Sequence, residues 1–248
     1  MSYDGGSAGW YSDPYAGGPP RYETYAFDEL LPWVDATFRT LGAREHRGVM
    51  GKSSGGYGAL VLGLRHAATF GALACHSGDL QFDYCYRPDV PKFCAAVQRA
   101  GGIEPWFTKF EQAVQKKHDD FVVLDILGMA ACYSPNPQSP PFGIDFPIDL
   151  ASGRWREDVW RRWLEHDPLN LVERFHDALR SLALVYLDCG TRDEWNLHLG
   201  ARLFVERLEQ LRIGHEYQEF DDGHMNVGYR YEVSLPKLGR ALAPRAGA

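Results

Sequence analysis

No two cysteines in this sequence are spaced as CxxC, and the five present (Cys75, Cys85, Cys94, Cys132 and Cys189) are odd in number and widely scattered. Neither a zinc cluster nor a disulfide framework is indicated, and the thiols are expected to be reduced. Basic charge is in deficit, with 26 Lys and Arg against 33 Asp and Glu for a net of −7. A chain so charged is not built to neutralise phosphates, so nucleic acid is not an expected partner. Long apolar runs are missing too. The longest, Phe121 to Cys132, is interrupted by Asp125 and falls short of the roughly 20 residues of a membrane span. The start, Met-Ser-Tyr-Asp-Gly-Gly, lacks the basic and apolar segments of a secretory leader, so a cytoplasmic, membrane-free protein is expected. What is present is apolar mass: 45% hydrophobic residues in 248, enough for the core of one large domain.

The pattern along the chain alternates. The first twenty residues, rich in Gly, Pro, Ser and Tyr, read as a surface loop. Apolar residues at Leu30, Leu31, Val34, Phe38 and Leu41 predict a helix over Tyr22 to Leu41, kinked or restarted at Pro32 and closed by Gly42. Strands are predicted near 47–51, 70–75, 182–188 and 216–220, with helices over Gly58 to Ala68, His198 to Arg212 and from about Tyr229. Strand and helix in alternation predict a mainly parallel sheet with helices on both faces, an α/β architecture. Residues 79–175 break this rhythm. Helical stretches at about 90–100, 104–117 and 119–131, a proline-rich loop from Ser134 to Pro141, and a Trp-rich helix from Trp155 to Leu164 read as a helical insertion within the single domain 1–248.

The strongest chemical signal is Gly51-Lys52-Ser53-Ser54-Gly55-Gly56, which fits G-x-S-x-G between a predicted strand and a predicted helix. A nucleophilic serine on so sharp a turn needs glycine two residues before and two after it, because side chains there collide with backbone. The turn lifts the Ser53 hydroxyl out of the sheet beside a helix N-terminus, which favours developing negative charge. Serine is a weak nucleophile unless a histidine takes its proton and a carboxylate orients that histidine. Asp193 follows the third strand and His224 the fourth, the order Ser, Asp, His that such a sheet requires. Asp188 and Glu194 are rival acids. His76 is the rival base, although its place at a strand end before a Ser-Gly-Asp turn suits a structural histidine better; His66, His166 and His215 read as solvated. No cofactor or metal is called for.

The stretches Gly6-Ser-Ala-Gly-Trp-Tyr-Ser-Asp-Pro, Glu29-Leu-Leu-Pro, Gly51-Lys-Ser-Ser-Gly-Gly-Tyr-Gly-Ala-Leu and Ser77-Gly resemble the esterase family of α/β-hydrolases. That family includes S-formylglutathione hydrolase (esterase D), feruloyl esterases and mycolyltransferases. The resemblance covers residues 6–78 and 181–236. It implies Ser53 as nucleophile, Asp193 as acid, His224 as base and the backbone N–H of Ser54 as one oxyanion donor. The implied reaction is cleavage of a small-molecule carboxylic ester through an acyl-enzyme, or acyl transfer on the same scaffold.

Two departures from that family stand out. Lys52 precedes the nucleophile where Met, Phe or His is more usual. Only 46 residues precede the nucleophile strand, where the fold ordinarily has about four strands, one of which supplies the second oxyanion donor. The expectation is therefore the C-terminal part of an α/β-hydrolase, an N-terminally shortened chain whose nucleophile strand is an exposed edge. Such an edge could pair two copies into a homo-oligomer, and a missing donor would leave a poor esterase or a binding protein, unless the Gly5–Trp10 loop or the insertion supplies it. Trp106, Trp155, Trp160, Trp163, Tyr84, Tyr86 and Tyr133 in the insertion either line a substrate pocket under a lid or form the insertion's own core.

Overall fold

The structure is a computed structural model and describes residues 10, 11, 13 and 21–244. Most of the expected first-twenty-residue loop, including Gly5 to Gly9, lies outside the described residues. In chain order the helices are α1 (Tyr22–Thr24), running into a π-helical segment (Tyr25–Leu30), α2 (Leu31–Thr37), α3 (Ser54–Arg65), α4 (Phe82–Cys85), α5 (Asp89–Ala100), α6 (Ile103–Gln112), α7 (His118–Tyr133), α8 (Glu157–Leu164), α9 (Pro168–Arg180), α10 (Leu197–Gln210) and α11 (Tyr231–Leu242). The strands are β1 (Gly48–Lys52), β2 (Ala72–His76), β3 (Leu184–Gly190) and β4 (Glu216–Phe220). The described chain divides into two compact units: residues up to Leu30 with Tyr86–His166, and Leu31–Cys85 with Asp167 onward. No described helix is long and apolar enough to cross a membrane.

The second unit holds the sheet, four parallel strands in the order β1-β2-β3-β4. Right-handed crossovers that always step in one direction put their helices on one face. Accordingly α3 packs on β1 and β2, α9 on α3, and α10 on β3, while α11 meets β2 and β3. On the α11 face, Leu238 closes over Ala72, Ala74 and Tyr186, with Met50 and Leu242 at the margin. Register then sets one row across the sheet near the C-terminal strand ends: Lys52 opposite His76, His76 opposite Asp188, Asp188 opposite Gln218. The α/β class, the strand count and the parallel order agree with the sequence reading, and β1 is an edge strand among the described residues. The other edge, β4, carries ion pairs from Glu216 to Lys237 and from Glu219 to Arg202, charges of the kind that discourage edge-to-edge association.

Three elements differ from expectation. The helix predicted from Gly58 begins at Ser54, and the Tyr57 N–H already donates to the Ser53 carbonyl at 3.0 Å. The glycines that signal a turn in the sequence are inside the helix. The first helix ends at Thr37, well short of Gly42, and its Pro32 follows directly on the π-helical turn. Proline has no N–H to return to the preceding turn, and a wider turn there absorbs the kink. The insertion, expected to run to residue 175, gives way to the sheet unit at Asp167, whose side chain caps α9 by accepting from the Leu169 N–H. Asp-Pro at a helix start is an N-cap followed by proline at the first helical position.

The first unit is held by aromatic packing. Trp160 and Trp163 are fully buried, 5.6 Å apart, and Tyr133 meets Trp163 edge-on. Trp106, Tyr86 and Tyr133 are buried too, whereas Tyr84, in the sheet unit, is exposed. Beside this core Asp145 accepts from Ser139 Oγ (2.7 Å), Asn136 Nδ2 (3.1 Å), Arg162 (2.6 Å) and Arg156 (3.3 Å). Burial works to raise its pKa, but the hydrogen bonds of Ser139, Arg162 and Asn136 and the charge of Arg156 outweigh burial and bring it down to about 2. A carboxylate depressed in this way stabilises the fold above the ordinary carboxylate range and loses that contribution as pH falls toward 2. Asp145→Asn is expected to lower stability by roughly 2 kcal/mol at neutral pH. In urea unfolding followed by tryptophan fluorescence, its deficit against the parent protein should shrink on acidification through that range.

Candidate active site

Ser53 follows β1 and caps α3 with φ 58° and ψ −129°, a conformation that costs a non-glycine residue on the order of 1–3 kcal/mol. It is held there from both sides. The Ser53 N–H donates to the His76 carbonyl at 2.9 Å, and the Ser53 carbonyl takes the first bond of α3. A Cβ at Gly51 would lie 2.2 Å from the Gly55 carbonyl oxygen, so strand and helix approach as only glycine allows. The result is a half-buried hydroxyl above the sheet, next to the Ser54 N–H, one of the first helical N–H groups that have no partner within the helix.

Asp193 and His224 come from the loops after β3 and β4, at the same end of the sheet. Parallel strands gather such loops together. The two loops are laced: Thr191 N–H to the Phe220 carbonyl and Arg192 N–H to the Asp222 carbonyl, both at 2.9 Å. At Gly190 a Cβ would fall 2.4 Å from the Asp222 carbonyl oxygen, and its absence lets the loop that carries His224 press on the end of β3. His224 Nδ1 stands 2.7 Å from Asp193 Oδ2, and His224 Nε2 stands 2.9 Å from Ser53 Oγ. A carboxylate only accepts, so Nδ1 carries the proton, Nε2 is the acceptor, and the serine hydroxyl donates to it. Asp193 is buried and fully used: its other oxygen accepts the backbone N–H groups of Trp195 (3.0 Å) and Leu197 (3.4 Å). The thiol of Cys189 points at it from 3.9 Å; burial and the Asp193 charge push that thiol up to about 12.

The rivals fall elsewhere. Asp188 Oδ1 bonds His76 Nδ1 at 2.8 Å, and His76 Nε2 bonds Ser234 Oγ at 2.9 Å, all three buried on the α11 face. Asp188 Oδ2 takes Arg230 Nε and the Tyr186 hydroxyl, each at 2.9 Å. Burial disfavours the Arg230 charge, but Asp188 outweighs it and raises the guanidinium pKa. Glu194 is no second acid for the imidazole: its Oε2 accepts the backbone N–H of His224 at 2.8 Å. In the sequence Glu194 shows only as a carboxylate adjacent to Asp193, a signal that does not reveal this backbone anchor. Trp195, which no motif singles out, meets the His224 imidazole edge-on with ring centroids 4.8 Å apart. Lys52 sits at the β1 edge on the sheet face shared with His76. The described residues contain no cluster of His, Cys, Asp or Glu suited to a metal ion.

A serine, a histidine and a carboxylate in hydrogen-bonded series at the C-terminal ends of parallel strands define a site of the α/β-hydrolase type. The family model described as "Putative esterase" matches residues 1–237, and the chain belongs to that family. Two curated relatives from Mycobacterium tuberculosis, Esterase Rv1288 and Esterase MT1326, are each 28% identical over 244 residues, or 97% of this chain. The chain spans 44% of their length. Among solved structures, a ferulic acid esterase superposes with a TM-score of 0.56 at 20% identity, covering 94% of this chain and 64% of that one. An S-formylglutathione hydrolase from Agrobacterium tumefaciens gives 0.52 at 16% identity, covering 94% and 63%. At these identities the likeness is one of fold.

The glycine approach at the turn has a direct test. Gly51→Ala should destabilise the protein by about 3 kcal/mol or more, because the methyl group meets backbone, which cannot rotate away. Thermal unfolding followed by circular dichroism should show this, against a neutral outcome for alanine at Gly214, where nothing lies within 4 Å of the added Cβ.

Proposed function

We propose that the chain is a carboxylic ester hydrolase in which Ser53 is the nucleophile, His224 the general base and acid, and Asp193 the group that orients the imidazole. The observation that carries this reading is the unbroken series Ser53 Oγ, His224 Nε2, His224 Nδ1, Asp193 Oδ2 at 2.9 and 2.7 Å. Ser53 Oγ attacks the ester carbonyl carbon as its proton passes to His224 Nε2. The carbonyl oxygen takes the negative charge, next to the Ser54 N–H. Collapse expels the alcohol, which receives the proton from Nε2, and leaves the acyl group on Ser53. Water, deprotonated by the same nitrogen, then attacks the acyl carbonyl; the acid departs and the serine hydroxyl is restored.

Ser53→Ala and His224→Ala should each remove nearly all turnover of a short p-nitrophenyl ester, and the double variant should be scarcely worse than either, since such residues act as a unit. Asp193→Asn should cost roughly 10⁴ in kcat with the fold intact. Asp188→Asn should show the opposite profile, a lowered melting temperature with activity kept in the folded fraction, because it unbalances a buried charge pair. Full activity in Ser53→Ala would end this reading. Glu194 acts through the backbone of the base: Glu194→Ala should lower kcat about tenfold with KM little changed, and Glu194→Gln, which keeps an acceptor oxygen, should recover most of it. Equal losses in both variants would show that the anchor is not the hydrogen bond.

A further inference from the structure

We infer that the alcohol side of this ester site takes a flat, uncharged, apolar group, with Trp195 as the surface it lies on. The inference rests on the hydrolase reading above and adds the class of leaving group. Whatever alcohol departs must receive its proton from His224 Nε2, so the atoms attached to that oxygen lie beside the imidazole. The apolar side chain shown there is Trp195, two residues past Asp193, which meets the imidazole edge-on at 4.8 Å and remains 40% exposed. An indole left open to solvent against the group that protonates the leaving alcohol offers a rigid, flat apolar surface.

Its position is fixed by the same carboxylate that orients the base, since Asp193 Oδ1 accepts the Trp195 backbone N–H at 3.0 Å. Charge around the base sets the second half of the inference. Glu194 accepts the His224 N–H, and Asp222 accepts the Gly223 N–H and the Tyr229 hydroxyl. Neither carboxylate has an ion-pair partner among the described residues; the nearby Arg192 is engaged by Asp221 at 2.9 Å. An anionic leaving group would approach two uncompensated carboxylates and be repelled, more so at low salt. Aryl-bearing neutral alcohols fit this side of the site, and alcohols or thiols carrying carboxylates do not.

The test holds the acyl group constant and varies the alcohol: benzyl acetate, n-propyl acetate and 4-carboxybenzyl acetate, each assayed for kcat/KM with the full chain. All three form the same acetyl-enzyme, so differences report the step in which the alcohol is bound and expelled. Benzyl acetate should exceed n-propyl acetate by about tenfold. It should also exceed 4-carboxybenzyl acetate several-fold, by a margin that narrows as salt is raised. W195A should bring the benzyl-to-propyl ratio within about twofold, and W195F should keep most of it. A wild-type protein that does not separate benzyl from propyl overturns the inference, as does W195A lowering all three rates in the same proportion, which would make Trp195 a prop for His224. Hydrolysis of acetates with a flat profile leaves the hydrolase reading standing and removes only this one. No hydrolysis of any acetate, with no fluorophosphonate label on Ser53, removes both.

Discussion

The passage from β1 to α3 through the single residue Ser53 is the constraint on which the rest of the site depends. Gly51 and Gly55 are in backbone contact, and the chain can turn that sharply only by placing Ser53 at positive φ. The local cost, on the order of 1–3 kcal/mol, is borne because both flanks are fixed. β1 is paired with β2 along its whole length, and α3 packs on both strands. A strained residue survives where its surroundings over-determine it. Here the surroundings include a run of buried residues from Gly56 to Leu64 in α3 and all of β2.

From that fixed point the parallel order does the positioning. Each later strand ends at the same side of the sheet and delivers one loop, and close backbone approach at Gly190 joins the last two loops into one layer. Beneath that layer Asp188 is bonded by His76, Tyr186 and Arg230, with Ser234 and Gln218 bonded in turn to those partners, so the segment that follows His224 is tied by a buried ion pair to the middle of the sheet. His224 is thus held at its own backbone by Glu194, at its ring by Asp193, and six residues later by Asp188 through Arg230.

Much of this was legible in the residues. The four strands, their parallel order and the set Ser53, Asp193 and His224 follow from periodicity and from one tight-turn motif whose chemistry admits few alternatives. The boundaries were not legible wherever a residue type serves two purposes. Glycines 55 and 56 read as turn residues but are helix residues, Gly56 at a close contact with Gly78, because a sequence does not reveal which backbone lies opposite. The π-helical turn before Pro32 has no compositional signature. Trp160 and Trp163 read as core more readily than as pocket lining; burial decides for core, and burial is a property of the tertiary structure. Glu194 was visible as a carboxylate and not as a backbone acceptor, since side-chain identity is written in the sequence and the N–H it meets is not.

Ser234, His76 and Asp188 repeat, within one sheet and at nearly the same separations, the arrangement of Ser53, His224 and Asp193. The two relays have the same donors and acceptors, yet one is sealed under α11 and the other opens at the strand ends. Ser234 lies in the first turn of a helix with ordinary geometry, and Ser53 stands on a turn that presents it to solvent. On the function proposed above, the molecule contains its own control for what makes a hydroxyl reactive. Proton-relay geometry is shared by both; what differs is whether an electrophile can arrive, and that is decided by the packing of a helix and the shape of one turn.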